Sequence, residues 1–342
     1  LAPRREIIAG LETAPRPHPT HIYTRYVEGL RSELQAQGLP TRADGVRIMV
    51  VGEPPRQVAV GEPPRRTGGL ADHTVEIART ISGPVGLAPG AVIDVLLDGN
   101  HDNSLSANIH GSRLSQLAPV AEALVLNVLA KRRREIDAVV SRAPADGRTT
   151  LASISNGTSL ISVANRLAQV ALNAPRGSTM YAELCAALGH APRVGNDADR
   201  DLIAEHLVPS LHRARLASPA VRAALGQLDA AVVAARKRGV LVLKSAGNEQ
   251  REPYALKDPR VAMQFDAVPS MMVVGAIDLG KHPTDSQDDT IAEFSVMGPA
   301  LHSVGVKVPV GDKGDVRRHF IFHSLRRVGA GADAQSQPTP DA

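Results

Sequence analysis

Residues 219–249 read PAVRAALGQLDAAVVAARKRGVLVLKSAGNE, and three textures follow one another within them. Val221, Leu225, Leu228, Val232 and Val233 share one face of a helix running from 219 to 238. Gly239 stands where such a helix takes a left-handed cap. Val240 to Leu243 is an unbroken apolar run, the texture of a strand buried on both faces. Ser245-Ala246-Gly247-Asn248-Glu249 then turns small and polar. A helix, a glycine, a buried strand and a polar turn predict an α/β fold: a parallel sheet with helices on both faces.

Working outward, the same alternation recurs. Ala91-Val92-Ile93 leads into Asp94, and Leu151–Ile154 and Met272–Val274 are further strand candidates. Ala123–Leu129 is rich in Leu and Val and also reads as a strand. A helix is expected over 158–173. Residues 174–218 read as a helical insertion, with loop signals at Pro175–Gly177 and Pro192–Asn196.

Residues 1–88 read as a separate, small α+β or irregular N-terminal extension, with the character of a possible propeptide. Val27, Leu30 and Leu34 predict a helix between Thr24 and Gly38, Ile48–Val51 a strand, and 71–81 a second helix stopped by Gly83-Pro84. The hexapeptide Val-Gly-Glu-Pro-Pro-Arg occurs at 51–56 and again at 60–65, and is read as a proline-rich loop. The α/β domain is placed at 89–310. Residues 311–342 lose this texture, and 329–342 have no apolar face, so a disordered tail is expected there.

Composition limits the function classes. The chain has 342 residues, 43% hydrophobic and 22% charged, which is enough to bury a sizeable core. No run of about 18 apolar residues is present, so neither a membrane span nor a membrane partner is expected. Thirty-nine Lys and Arg against thirty-five Asp and Glu give a net charge of +4. The charge is mixed, and with four Tyr, four Phe and no Trp there is little to stack on bases. Nucleic acid is therefore not an expected partner. One cysteine, Cys185, excludes an internal disulfide. No metal and no cofactor are expected, since the acidic loop at Asp285, Asp288 and Asp289 follows no calcium-loop spacing. No signal peptide is visible, and localisation stays open between cytoplasm and secretion.

In an open parallel sheet, ligands gather outside the carboxyl ends of the strands. The polar residues read as ending strands are Asp94, Ser155-Asn156-Gly157, and Asn248-Glu249. His110-Gly111 opens a stretch of small residues between them. An acid, an imidazole and an amide on one rim suit proton transfer and oxyanion stabilisation.

These segments resemble the subtilase family of serine endopeptidases. Ala91-Val92-Ile93-Asp94 resembles the strand that delivers the family's catalytic aspartate, and His110-Gly111-Ser112 its His-Gly-Thr helix start. Leu117-Ala118-Pro119 and Ala121–Leu129 resemble the Ala-Pro turn and strand that follow. Ala231–Glu249 is the closest match, around Ala246-Gly247-Asn248-Glu249. Val273–Ala276, Phe294-Ser295 and Gly298-Pro299 follow in the family's order. The resemblance spans about 89–310. It implies a subtilisin-like fold and hydrolysis of a protein or peptide substrate, with Asp94 and His110 catalytic and Asn248 in the oxyanion hole. Ser155, Asn156 and Gly157 would line the bound peptide.

The departures are specific. Asp94 is followed by Val95-Leu96 where the family has Thr or Ser and Gly. Sixteen residues separate it from His110, and Arg113 replaces a second histidine. The nucleophile motif Gly-Thr-Ser-x-x-x-Pro is absent, and Ser324 has neither its glycine nor its proline. The motif emerges in a second frame. Arg318–Leu325, written CGG CAC TTC ATC TTC CAC TCC CTC, reads Gly-Thr-Ser-Ser-Ser-Thr-Pro one nucleotide later. Seven Lys among thirty-nine basic residues fit the GC-rich codons this needs. The expectation is a serine endopeptidase chain broken in frame between about 311 and 318 and inert as written. The alternatives are a non-catalytic peptide-binding relative and a doubly wound α/β protein binding a nucleotide or other small molecule.

Overall fold

In the computed structural model, the described residues are 4–7, 22–52, 72–82, 86, 88–97, 113–144, 149–249, 261–279, 289–292, 295–296, 301–304, 308–309 and 316–317. The fold is α/β. Its strands are β1 (Arg4–Ile7), β2 (Arg47–Gly52), β3 (Val92–Leu97), β4 (Thr150–Ile154), β5 (Val240–Ser245), β6 (Met272–Asp278), β7 (Thr290–Ile291), β8 (Leu301–Val304), β9 (Val308–Pro309) and β10 (Val316–Arg317). Its helices are α1 (Ile22–Ala36), α2 (Asp72–Ser82), α3 (Leu117–Arg142), α4 (Leu160–Ala171), α5 (Thr179–Leu188), α6 (Asp197–Ala217) and α7 (Pro219–Lys237).

The main sheet runs β1-β3-β2-β4-β5-β6-β7, with β8 also on β6. Strands β3, β2, β4, β5, β6 and β8 are mutually parallel, while β1 and β7 add antiparallel edges. Strand alternation divides the core in two. Ile48 and Val50 of β2 face Tyr26 and Val27 of α1 and Ile77 and Ala78 of α2. Met49 and Val51 face the opposite way, into the larger core of α3, α4, α6 and α7. A strand covered on both faces must be apolar throughout, which is why β2 and β5 read as unbroken runs.

Helix ends follow local chemistry. Ser159, Ser178, Asn196 and Ser218 each cap a helix by accepting a backbone N–H two or three residues into it. Pro219 opens α7, and Gly239 past its end takes φ 77°, leading straight into β5. Of the helix face read from sequence, Val221, Leu228 and Val232 are buried, but Val233 is exposed.

Three expectations are corrected. Ala123–Leu129 is not a strand but lies inside α3. Among its buried residues, Leu117, Ala121, Val125, Leu129, Arg132, Ile136 and Val139 are spaced three and four apart, and the helical period decides over local β-propensity. The chain has no structural boundary at residue 88, because β2 from the supposed extension lies between β3 and β4 at the middle of the sheet. The first copy of the hexapeptide begins in that strand, with Val51-Gly52, and the remainder of both copies lies outside the described residues. The 174–218 segment is helical as expected, yet it is not peripheral: Ile203, Leu207 and Leu211 of α6 belong to the main core. Of the segment read as a tail, Val316-Arg317 forms β10, which pairs with β9 just before it, and residues 311–315 and 318–342 lie outside the described residues.

Candidate functional site

β2 is the first parallel strand in sequence, and the chain continues to β3 on one side and to β4 on the other. This reversal of strand order is where α/β sheets open a crevice at their carboxyl edge. The β4 end leads into Ser155-Asn156-Gly157 and the neighbouring β5 end into Ala246-Gly247-Asn248. The two segments read from sequence as substrate-binding and oxyanion-binding therefore lie side by side on one edge.

The β4 end is fixed from beneath. Ser245 Oγ donates to Ser155 O at 3.2 Å, and Lys244 Nζ donates to Asn156 O at 2.8 Å. Arg132 Nη2, from α3, donates to the same carbonyl at 2.8 Å and to Asn156 Oδ1 at 3.0 Å. Gly157 is exposed above them, and a Cβ there would collide with the Gln264 amide and the Lys244 ammonium. Beyond it, Phe265 N donates to Thr158 O at 3.1 Å, and Ser159 pairs with Gln264 in an antiparallel bridge.

Under this segment lies a closed group of four charges. Arg132 Nε donates to Asp266 Oδ2 at 2.7 Å, Arg132 Nη1 pairs with Glu135, and Lys244 Nζ stands 3.7 Å from Asp266 Oδ1. Glu135, Lys244 and Asp266 are fully buried and Arg132 is almost so. The two buried cations balance the two buried anions, with Lys131 Nζ 3.7 Å from Glu135 Oε1 at the margin, and such balance is the condition for keeping charge in a core. Burial is the largest influence on Lys244 and pushes its amine down to about 8, against the raising effect of Asp266. Burial would raise the Asp266 carboxyl, but the Lys244 and Arg132 cations hold it below its ordinary value.

On the β5 side, Gly247 takes φ 120° and Asn248 is exposed. Asn248 N donates to Glu249 Oε2 at 2.8 Å, and Glu249 Oε1 accepts from Ser162 Oγ at 2.7 Å. These bonds tie the turn after β5 to the first turn of α4.

Asp94 does not join this edge. It lies within β3, in register with Met49 and, through it, with Ala152. That is three residues short of the strand's end, about 10 Å at the usual rise. Its buried carboxylate accepts from Arg47 Nη1 at 2.9 Å, from the first residue of β2. Arg47, Asp94 and Arg142, the last residue of α3, line a cavity of about 160 Å3 with Met49, Val95 and Leu96. Asp94 thus faces the amino end of the sheet, because β3 runs on for three residues past it.

His110 and Ser112 lie outside the described residues, as do Phe294, Gly298, Pro299, Asp285, Asp288 and the 318–325 stretch. Ser295 is buried, and its Oγ accepts from Ala276 N at 2.8 Å, which gives it a structural task.

Helix α2 is anchored at the amino edge of the sheet. Ala88 N donates to Ile81 O at 2.9 Å and Val92 N to Val46 O at 3.0 Å, which fixes the carboxyl end of α2 at the amino edge of the sheet. Eleven helical residues span about 16 Å, so α2 begins at the opposite edge. Asp72 is the first residue of that helix. Among the described residues no group of three His, Cys, Asp or Glu is arranged to hold a metal, and no helix is long and apolar enough to cross a membrane.

Comparison with known proteins gives no matching family model, no matching curated protein and no matching solved structure.

Proposed function

We propose that the chain carries the peptide cleft of a subtilase-like serine endopeptidase and, lacking the nucleophile, holds a peptide without cutting it. One observation carries the reading: Ser155–Gly157, expected to line the peptide, and Ala246–Asn248, within the closest family-like stretch, follow neighbouring parallel strands on one edge. An extended substrate would lie along Ser155–Gly157 and pair backbone to backbone. Asn248 would face the scissile carbonyl as an oxyanion donor, a contribution worth about 2.7–4 kcal/mol of barrier in enzymes that use it.

In such an enzyme a serine attacks the carbonyl, an imidazole takes its proton and an acid holds the imidazole's tautomer. The base that the resemblance implies is His110. Asp94, engaged with Arg47 and facing the other end of the sheet, is not the acid of this reading. The partner is a protein or peptide, and the reading calls on no cofactor.

The test uses fluorescein-labelled casein peptides with the chain as written, followed in parallel by polarisation and by cleavage. Saturable binding without cleavage is expected. Restoring Gly-Thr-Ser-Ser-Ser-Thr-Pro by a single-nucleotide frame correction should add hydrolysis, and His110→Ala should then remove it. Absence of binding at micromolar concentration by the uncorrected chain, with no hydrolysis after correction, refutes the reading.

A further inference from the structure

We propose that Lys244 and Arg132 are positioning residues: by drawing the Asn156 carbonyl inward they fix how the Ser155–Gly157 backbone is presented to a bound peptide. The inference rests on the peptide-cleft reading and names what sets the shape of that cleft.

The geometry converges on one atom. Asn156 O accepts from Lys244 Nζ and from Arg132 Nη2, both at 2.8 Å, so two cations bind one carbonyl. Arg132 also holds the Asn156 side chain through Oδ1 at 3.0 Å, so both acceptors of the residue are turned toward the core. With Asn156 fixed in this way, the adjoining Gly157 is exposed, and a Cβ there would press on the ends of the Lys244 and Gln264 side chains.

The cations are held in turn. Lys244 Nζ is faced by Arg132 and Glu135 from α3, by Asp266 and Gln264 from the 261–271 segment, and by Asn156 from the β4 end. Lys131 approaches Glu135 Oε1 at 3.7 Å from the margin. The group therefore joins α3, β5, the β4 end and the 261–271 segment beneath the proposed binding edge. An apolar residue at position 244 would satisfy β5 at lower desolvation cost, since a buried ion pair is often no more stabilising than a well-packed hydrophobic replacement. What the apolar residue would not supply is a donor to Asn156 O.

The arrangement also gives the cleft a pH response. Lys244 is the group in this cluster whose proton is weakened by burial, while Arg132 stays charged throughout. Losing the Lys244 proton removes one of the two cations from the carbonyl and leaves Asp266 with Arg132 alone.

Two readouts test this on the full chain. Labelled casein peptide reports affinity by polarisation, and hydrogen exchange of the Phe265 amide, bonded to Thr158 O, reports the order of the segment without any ligand. Lys244→Met alone leaves an unbalanced buried charge and risks misfolding, so it is paired with Asp266→Asn to keep the cluster neutral. In the double variant, affinity is expected to fall about tenfold and Phe265 exchange to quicken about tenfold, the equivalent of one charge-assisted hydrogen bond. Wild-type affinity should weaken between pH 7 and about 9.5, and Lys244→Arg should abolish that dependence. Unchanged Phe265 exchange in the double variant overturns the proposal, whatever the affinity does. Wild-type affinity that stays flat across this range also overturns it. If the wild type binds no peptide, the cleft reading falls, and Phe265 exchange still decides whether Lys244 and Arg132 order the segment.

Discussion

Replacing Asp94 separates a catalytic acid from a structural one. Its side chain is 6% exposed and its Arg47 partner 21%, with 2.9 Å between Oδ2 and Nη1. Two unit charges about 4 Å apart attract by about 4 kcal/mol at the effective dielectric of 20 that suits protein sites. Removing one member of a fully buried pair costs about 3–5 kcal/mol, because the other charge is left uncompensated. Arg47 keeps some contact with water, so the expected loss for Asp94→Asn lies below that, at about 2–3 kcal/mol. Urea denaturation measures it: the midpoint should fall while the slope stays constant. Arg47→Met and the double variant complete a cycle, in which a coupling of about 2 kcal/mol is expected. Peptide affinity should be unchanged in all three, since Asp94 lies about 10 Å below the level of the strand ends. An Asp94→Asn protein of wild-type stability that no longer binds peptide would refute the placement and return Asp94 to the cleft.

Three further outcomes follow from the same geometry. Gly157→Ala forces a methyl against Gln264 and Lys244; a loss of about 1–3 kcal/mol in chemical denaturation, with weakened peptide binding, is expected. Stability should rise as pH increases from about 8 toward 10.5 through Lys244. Its folded amine releases its proton before the unfolded one does, so the unfolded state holds more protons in that window, and denaturation midpoints at pH 7.5 and 9.5 check the sign. Ser218→Ala removes the oxygen that accepts from Val221 N at 3.1 Å and a donor to Glu122 at 2.6 Å; a loss of about 1 kcal/mol or somewhat more is expected, read from the thermal midpoint.

How much of this was legible depended on the range over which each signal acts. The α7–β5 unit could be read because its parts are local: a helical stripe, a glycine with positive φ and a strand buried on both sides. The same local reasoning failed over Ala123–Leu129. Seven residues rich in Leu and Val look alike in a strand and in a buried helix, and only the wider window through Val139 shows the helical spacing. Asp94 was misplaced because a strand was ended at its first charged residue. Arg47 makes a charge tolerable inside β3, but it lies on a different strand 47 positions earlier, and nothing near Asp94 announces it.

The buried charges show the same limit more sharply. Nothing in the sequence around Arg132, Glu135 or Lys244 marks them as members of one cluster. Their roles appear only when α3, β5 and the 261–271 segment are brought together, since Arg132 and Asp266 are 134 positions apart. The position of β2 governs the rest. Once it lies between β3 and β4, the reversal of strand order falls beside it, and Ile77 and Ala78 of α2 pack on its Ile48 and Val50. The peptide-cleft reading therefore depends on residues from both sides of position 88. Removing residues 1–88 should abolish folding of the remainder and not expose a binding cleft, because β3 would lose both its partners, β1 and β2, and β4 would keep only β5.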